Sequence, residues 1–209
     1  MAVMEAERKP ISAPTQAGIQ TRDTIEEPRP YTPEEFTAFA ANYPELRTEL
    51  TQEGELVIMP PAFSETGSKN ADVTADLVVW NRTKKIGKVF DSSSGFTLPS
   101  GARRSPDTAW IAQTRWDLLT EDQRKGFSQI CPDFVMELRS ITDRLSAVQA
   151  KMHEYRGNGA RLGWLIDPRS QRVEIYRPGQ EVEILDNPTS LSGEEVLPGF
   201  VLSLEGILL

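Results

Sequence analysis

An acidic residue stands inside the most apolar run of the chain, and this position constrains the fold more than any other. The run is Phe134-Val135-Met136-Glu137-Leu138-Arg139. Its composition predicts a strand near the centre of a sheet. Burial of the Glu137 carboxylate there is costly unless hydrogen bonds or a cation offset the lost hydration. Thirty positions earlier, Asp107 closes the segment Arg103-Arg104-Ser105-Pro106-Asp107, and Lys151 follows on a stretch with helical periodicity. Neighbouring strands stand about 4.8 Å apart, so two carboxylates placed side by side on them could share one hard divalent cation.

The remaining composition narrows the chemistry. Among 209 residues there is one His, His153, and one Cys, Cys131. A zinc centre of several His or Cys ligands is therefore impossible within one chain, as is an internal disulfide. No Gly-x-Ser-x-Gly elbow and no Gly-x-x-x-x-Gly-Lys-Ser/Thr loop occurs, which argues against a serine-hydrolase site and P-loop nucleotide hydrolysis. Carboxylates, lysines and arginines remain, and they suit a divalent metal with oxygen ligands. No segment approaches the roughly 18 apolar residues of a membrane span. The charged, polar start lacks the apolar segment of a secretory signal. A cytoplasmic protein without a membrane partner is the expectation. The net charge of −8 argues against electrostatic coating of DNA, although residues 101–161 are net positive, with ten basic and eight acidic groups.

Residues 1–30 hold several prolines and many charges with few large apolar groups, and are expected to form a flexible tail. Residues 31–209 then form one domain. Thr32-Pro33-Glu34-Glu35 predicts a helix start with a capping box and proline at the first helical position. Glu55-Leu56-Val57-Ile58-Met59 reads as a strand stopped by Pro60-Pro61. A second helix is expected over 64–84, with Gly87 just past its end, and a third over 143–156, with Gly157 or Gly159 as its cap. Short strands are expected around 88–90, 95–98, 108–111, 134–139, 162–166, 173–176 and 181–185. The layout is an α/β or α+β domain with a mixed sheet and a few helices.

On this reading Glu137 and Arg139 share a strand face, and Lys151 falls at the edge of the helical stripe Leu145, Val148, Met152, Tyr155. From there its side chain can reach across the sheet end toward the carboxylates, and Arg144 shares that side. A plainer account stays open: Asp107 as a turn residue after Pro106, and Glu137 as a buried partner of Arg139 or Arg144. His153 is expected to be exposed and Cys131 to be a buried spectator. Trp116 is the one tryptophan read as a loop candidate for base stacking.

An ordered series of short motifs carries a resemblance. It runs through Arg47-Thr48-Glu49-Leu50, Gly54-Glu55-Leu56-Val57-Ile58-Met59-Pro60, Phe90-Asp91-Ser92-Ser93-Ser94-Gly95-Phe96 and Arg104-Ser105-Pro106-Asp107. It continues with Pro132-Asp133-Phe134-Val135-Met136-Glu137-Leu138-Arg139-Ser140, Lys151-Met152-His153-Glu154-Tyr155, Gly163-Trp164-Leu165-Ile166-Asp167-Pro168 and Leu197-Pro198-Gly199-Phe200. Over about residues 30–209 the chain resembles the Uma-two family, a former domain of unknown function described as endonucleases of the PD-(D/E)XK superfamily. The resemblance implies a restriction-endonuclease-like fold, a mixed central sheet flanked by helices, and hydrolysis of DNA phosphodiester bonds with Mg²⁺ (or Mn²⁺). Asp107 and Glu137 resemble the metal ligands. Glu49 resembles an additional acid from the N-terminal helical region. Lys151 resembles a lysine moved to the next helix, because Arg139 stands where the superfamily pattern has Lys. Arginine keeps its charge and shuttles protons poorly.

These residues define an expected DNA endonuclease. Asp107 and Glu137 hold the metal, Lys151 and Glu49 complete the catalytic set, and Arg139, Arg144 and Arg104 contact phosphate. A homodimer is the expected form for double-strand cutting. The rival readings keep the fold without catalysis, as a nucleic-acid-binding protein or an oligomeric interaction module.

Overall fold

The computed structural model describes residues 29–208. The tail expected over 1–30 lies outside them, apart from its last two residues. Thr32 caps the first helix, α1 (Pro33–Asn42), by the expected reciprocal bonds: its hydroxyl accepts from Glu35 N, and the Glu35 carboxylate accepts from Thr32 N at 2.9 Å. Phe36 is the face of α1 that is fully buried. A hairpin follows, in which β1 (Arg47–Leu50) pairs antiparallel with β2 (Leu56–Met59). The run Leu-Val-Ile-Met announces β2. Nothing announces β1, whose Arg-Thr-Glu-Leu sequence has one large apolar residue.

Helix α2 (Ser64–Lys84) has the expected span, and Gly87 lies just past its end as expected. Lys85 is the residue that turns left-handed, at φ 56°, with its N–H bonded to Asn81 O. Gly87 serves another purpose. It opens β3 (Gly87–Asp91), where a Cβ would lie 2.3 Å from Trp110 Cε2 and 2.4 Å from the Ile111 carbonyl oxygen. Close approach of two backbones, not a helix cap, is why glycine stands there. The chain then makes β4 (Phe96–Thr97), β5 (Arg103–Arg104), β6 (Thr108–Ala112), two four-residue helices α3 (Gln113–Trp116) and α4 (Glu121–Arg124), and β7 (Phe134–Leu138). It ends with α5 (Leu145–Gly157), β8 (Leu162–Asp167), β9 (Arg172–Tyr176), β10 (Glu183–Asp186), β11 (Ser190–Ser192) and β12 (Val201–Ser203).

Six strands form the main sheet in the order β10-β9-β8-β7-β6-β3. β7 and β8 are parallel and the other neighbours antiparallel, so the sheet is mixed, as expected. A parallel pair needs a crossover, and α5 supplies it. A smaller sheet, β2-β1-β5-β4, stands beside it, and β11 pairs with β12. The strand β7 is buried at every position, which confirms its central place. Side chains alternate across it. Phe134, Met136 and Leu138 enter one apolar cluster with Val73 and Leu77 of α2, Trp164 and Phe200. Val135 enters the other, with Met152 and Tyr155 of α5, Leu165 and Tyr176. Helices thus cover both faces, and Glu137, two residues from Val135, belongs to the α5 side.

The Gly87 contact is testable. Gly87→Ala should lower the free energy of unfolding by at least about 1–3 kcal/mol, because a backbone carbonyl and an indole cannot both retreat. Gly67→Ala, inside α2 with nothing within 4 Å of its Cβ position, should instead stabilise by up to about 1 kcal/mol through helix propensity. Urea titrations of both variants check the pair.

Candidate active site

Strand register brings the two acids together. β6 and β7 run antiparallel with Thr108 opposite Met136. One step further along the same register puts Asp107 opposite Glu137, and opposed residues of an antiparallel pair point to one side of the sheet. Asp107 Oδ2 accepts a 2.9 Å hydrogen bond from Leu138 N, which fixes it beside the end of β7. Glu137 is 7% exposed, and Asp107 is half-buried.

The α5 side of the sheet explains the lysine. Lys151 Nζ lies 2.9 Å from Glu137 Oε1 and 2.8 Å from Glu49 Oε1, and donates to Ser105 O at 3.3 Å. Tyr155, one turn along the same helix, donates its hydroxyl to Glu137 Oε1 at 3.1 Å. Glu49 arrives from β1, a strand, and so corrects the expectation that it comes from a helical region. β1 pairs with β5 with Leu50 opposite Arg103, so the next step sets Glu49 opposite Arg104. Arg104 Nη1 lies 3.1 Å from Glu49 Oε2, and Ser105 N donates to Glu49 Oε1 at 2.8 Å. Arg104 Nε also binds Glu154 Oε2 on α5. Tyr155 and Glu154 were not anticipated as site residues. Their signal was their place at i+4 and i+3 from Lys151, which puts them on its side of the helix.

Three carboxylates therefore surround one ammonium. Burial pushes the Glu137 carboxyl up to about 8; Lys151 opposes this, while the charges of Asp107 and Glu49 add to it. Burial also raises Asp107, against the bond from Leu138 N and the charge of Lys151. Burial works against ionised Glu49 too, but Lys151, Arg104 and the bond from Ser105 N outweigh it and hold that carboxyl below its usual range. Lys151 would lose its proton more readily through burial alone; Glu137 and Glu49 reverse this and keep it cationic. The favoured state is an ionised Glu49, a charged Lys151 and a proton retained by Glu137.

The site opens into a cleft of about 1200 Å³, lined by Glu49, Arg104, Asp107, Glu137, Arg144 and Lys151, among others. The bonds to the two acids fall on Asp107 Oδ2 and Glu137 Oε1. Among the described residues none uses Asp107 Oδ1 or Glu137 Oε2. Two adjacent carboxylate oxygens in a half-buried, proton-retaining setting fit a hard divalent ion. Among the described residues no group of three or more His, Cys, Asp or Glu is arranged to hold a metal. The protein's share would be this pair, with water and substrate oxygens completing the shell, as Mg²⁺ commonly accepts.

The arginines separate. Arg139 does not line the cleft. β7 ends at Leu138, so simple alternation stops before Arg139. Its Nη1 lies 2.7 Å from Asp167 Oδ2 and its Nε donates to Asp143 O at 3.2 Å. This corrects the expectation that it shares the Glu137 face, and it removes the internal Glu137–Arg139 pair considered above. Arg104 is in the cleft but committed to Glu49 and Glu154. Arg144, the exposed N-cap residue of α5, lines the cleft, and no hydrogen bond or ion pair among the described residues engages its guanidinium. His153 is exposed and sits against Arg156, and Cys131 is buried, both as expected. Trp116 packs against Phe90 with ring centroids 5.2 Å apart, as part of α3.

Two outcomes follow. An unfolded Glu titrates near 4.5, so between about 4.5 and 8 the folded protein holds a proton that the unfolded chain has released. Stability should fall as pH rises through this window, by at most about 1.4 kcal/mol per pH unit for one proton. Glu137→Gln should flatten that slope in unfolding titrations. Glu49 acts in a separate window: its contribution is present above 4.5 and fades as pH falls through its lowered folded value. Arg139→Ala should cost about 2 kcal/mol, because buried Asp167 loses a charge-assisted bond while keeping those from Ser170 Oγ and Arg169 N. Calorimetric unfolding of this variant checks that assignment.

Comparison with known proteins agrees with the geometry. A family model, Uma2, described as "Putative restriction endonuclease", matches residues 33–205. A crystal structure from Anabaena variabilis ATCC 29413, described as that of a "putative nuclease belonging to DUF820", superposes with a TM-score of 0.70 at 24% identity, covering 86% of this chain and 98% of the other. At that identity the likeness speaks for the fold. A comparison with curated proteins returns no match. With the family match spanning most of its length, the chain belongs to the Uma2 restriction-endonuclease family.

Proposed function

We propose that the protein is an endonuclease that hydrolyses phosphodiester bonds of DNA with Mg²⁺ or Mn²⁺ held by Asp107 and Glu137. One observation carries this reading: register sets Asp107 opposite Glu137 while Lys151 is clamped between Glu137 and Glu49. A divalent ion at such a pair supplies an acidified water and offsets charge building on the phosphodiester. The residues of the chain do the rest. Asp107 and Glu137 both line the cleft, and each keeps one oxygen without a bond among the described residues. Glu49 holds the Lys151 ammonium from the far side, so that it stays charged and fixed next to Glu137. A permanently charged ammonium is a poor base, so Lys151 orients the attacking water or stabilises the developing negative charge. Tyr155 donates to the same Glu137 Oε1 that Lys151 engages, which leaves Oε2 without a bond among the described residues. Arg144, uncommitted at the cleft, is the phosphate contact best placed to meet a backbone. Arg104 acts at one remove, by holding Glu49 and Glu154.

The lysine shift then has a physical account. Lys151 does from α5 what the family pattern asks of position 139, and Arg139 braces Asp167 instead. A homodimer belongs to this reading only where both strands of a duplex are cut, since one centre per chain then calls for two copies. A cytoplasmic setting also belongs to it, in keeping with one buried, unpaired cysteine. Among the described residues no helix is long and apolar enough to cross a membrane.

Wild-type protein should nick supercoiled plasmid with Mg²⁺ or Mn²⁺ and leave it intact in chelator. Asp107→Ala and Glu137→Ala should each lower the rate by at least about 10²-fold, and Lys151→Met by about 10²–10³-fold. Equal cleavage by wild type and these variants, or none by wild type with either metal, overturns the proposal.

A further inference from the structure

The cleft is larger and less basic than a grip on duplex phosphates requires. Among the described residues, seven carboxylates line it against four lysine and arginine side chains; Arg47 donates to Ser92 O at 2.9 Å and Arg104 and Lys151 are engaged as above, which leaves Arg144 unengaged. Phosphate neutralisation supplies most of the sequence-independent affinity for duplex DNA and counts for less per phosphate with a single strand, so a surface poor in free cations disfavours the duplex more. One wall offers a different kind of contact. The end of β2 and the start of α2 line the cleft with Val57, Met59, Pro60, Pro61, Ala62 and Phe63. Phe63 precedes the first turn of α2 and is 57% exposed. The two prolines stiffen its approach. Seven residues along α2, two helical turns and so nearly the same face, Asn70 also lines the cleft. Its Oδ1 is shielded from solvent and has no hydrogen-bond partner among the described residues. An exposed aromatic face suits a base better than a sugar-phosphate chain.

We propose that the cleft binds an unpaired nucleotide stacked on Phe63, which makes single-stranded DNA its preferred ligand. The proposal rests on the nuclease reading for the kind of ligand, and its test does not depend on cleavage. In a duplex the base faces are already stacked on one another, so Phe63 gains nothing from paired DNA. In a single strand every base has a free face, and binding is tolerant of sequence. The exposed Phe63 ring can be replaced with little effect on folding.

Fluorescence anisotropy of the full chain, in Ca²⁺, with a short labelled single strand and with the same sequence as a duplex, tests this. The single strand should bind at least about tenfold more tightly. Phe63→Ala should weaken single-strand binding by about 5- to 150-fold with little change for the duplex, and Phe63→Trp should retain it. Equal or tighter duplex binding, no measurable single-strand binding, or no effect of Phe63→Ala overturns the proposal. Plasmid cleavage without single-strand binding would sink this inference and leave the nuclease reading standing. Phe63-dependent single-strand binding without cleavage would do the reverse.

Discussion

The ammonium of Lys151 is the contact on which the site depends. It touches β7 of the main sheet through Glu137 and β1 of the small sheet through Glu49, and it is carried by α5. Three elements are joined at one nitrogen, two of them consecutive and the third, β1, far away in sequence. Ion pairs this buried contribute little net stability, because the lost hydration of each partner nearly cancels their attraction. Their geometric effect is larger. Removing the lysine would leave three carboxylates in one half-buried space, with only Arg104 and the hydrogen bonds from Ser105, Leu138 and Tyr155 to hold them. The contact is better understood as a device for placing acids than as a source of folding energy.

A single strand end divides the labour of the neighbouring charged residues. Glu137 sits inside β7, where the pleat commits it to the α5 side. Arg139 lies one residue beyond the strand's last position, so its side chain is free to leave that face and meet Asp167 at the end of β8. Its backbone still belongs to the sheet edge, since Arg139 N donates to Ile166 O at 2.9 Å. Two residues separated by one leucine therefore serve different ends: one faces the cleft and the other ties the tips of two parallel strands. Arginine at 139 fits this place, because a planar guanidinium reaches both Asp167 and the Asp143 carbonyl at once.

Much of this was legible in the sequence, and the failures have a common cause. The capped start of α1, the span of α2, the central place of β7 and the reach of Lys151 all follow from local periodicity or capping chemistry, which the chain carries within a few residues. Asp107 and Glu137 could be paired because an acid in an apolar strand demands a partner. What escaped was set by contacts far along the chain. β1 has no apolar alternation of its own and exists because β2 and β5 flank it, so Glu49 looked helical by analogy and is not. Gly87 was placed just past a helix end, as found, but the reason for a glycine there lies with Trp110 and Ile111 on β6. Phe63 followed two prolines and preceded a helix, and nothing local marked it as part of a cleft wall.

The charge arrangement also explains why the resting site holds a proton where a nuclease needs an ionised acid. Glu49 is saturated by Lys151, Arg104 and Ser105 N, so it keeps its charge and draws the ammonium toward itself. Glu137 receives only part of that ammonium, lies next to Asp107, and is buried; neutrality is then the cheaper state near pH 7. Of these features, the neighbouring carboxylate charge is the one that also favours a divalent cation, since two carboxylates attract a double charge about twice as strongly as a single one at equal distance, whereas burial disfavours an uncompensated ion. On the proposed metal reading, occupation of the site and loss of the Glu137 proton would be linked, and the affinity of the ion would rise with pH up to about 8. A site too well neutralised by its own arginines would have no such affinity. Arg139 is held away by Asp167, and Arg104 by Glu49 and Glu154, which leaves the pair under-neutralised, the condition that the proposed ion would relieve.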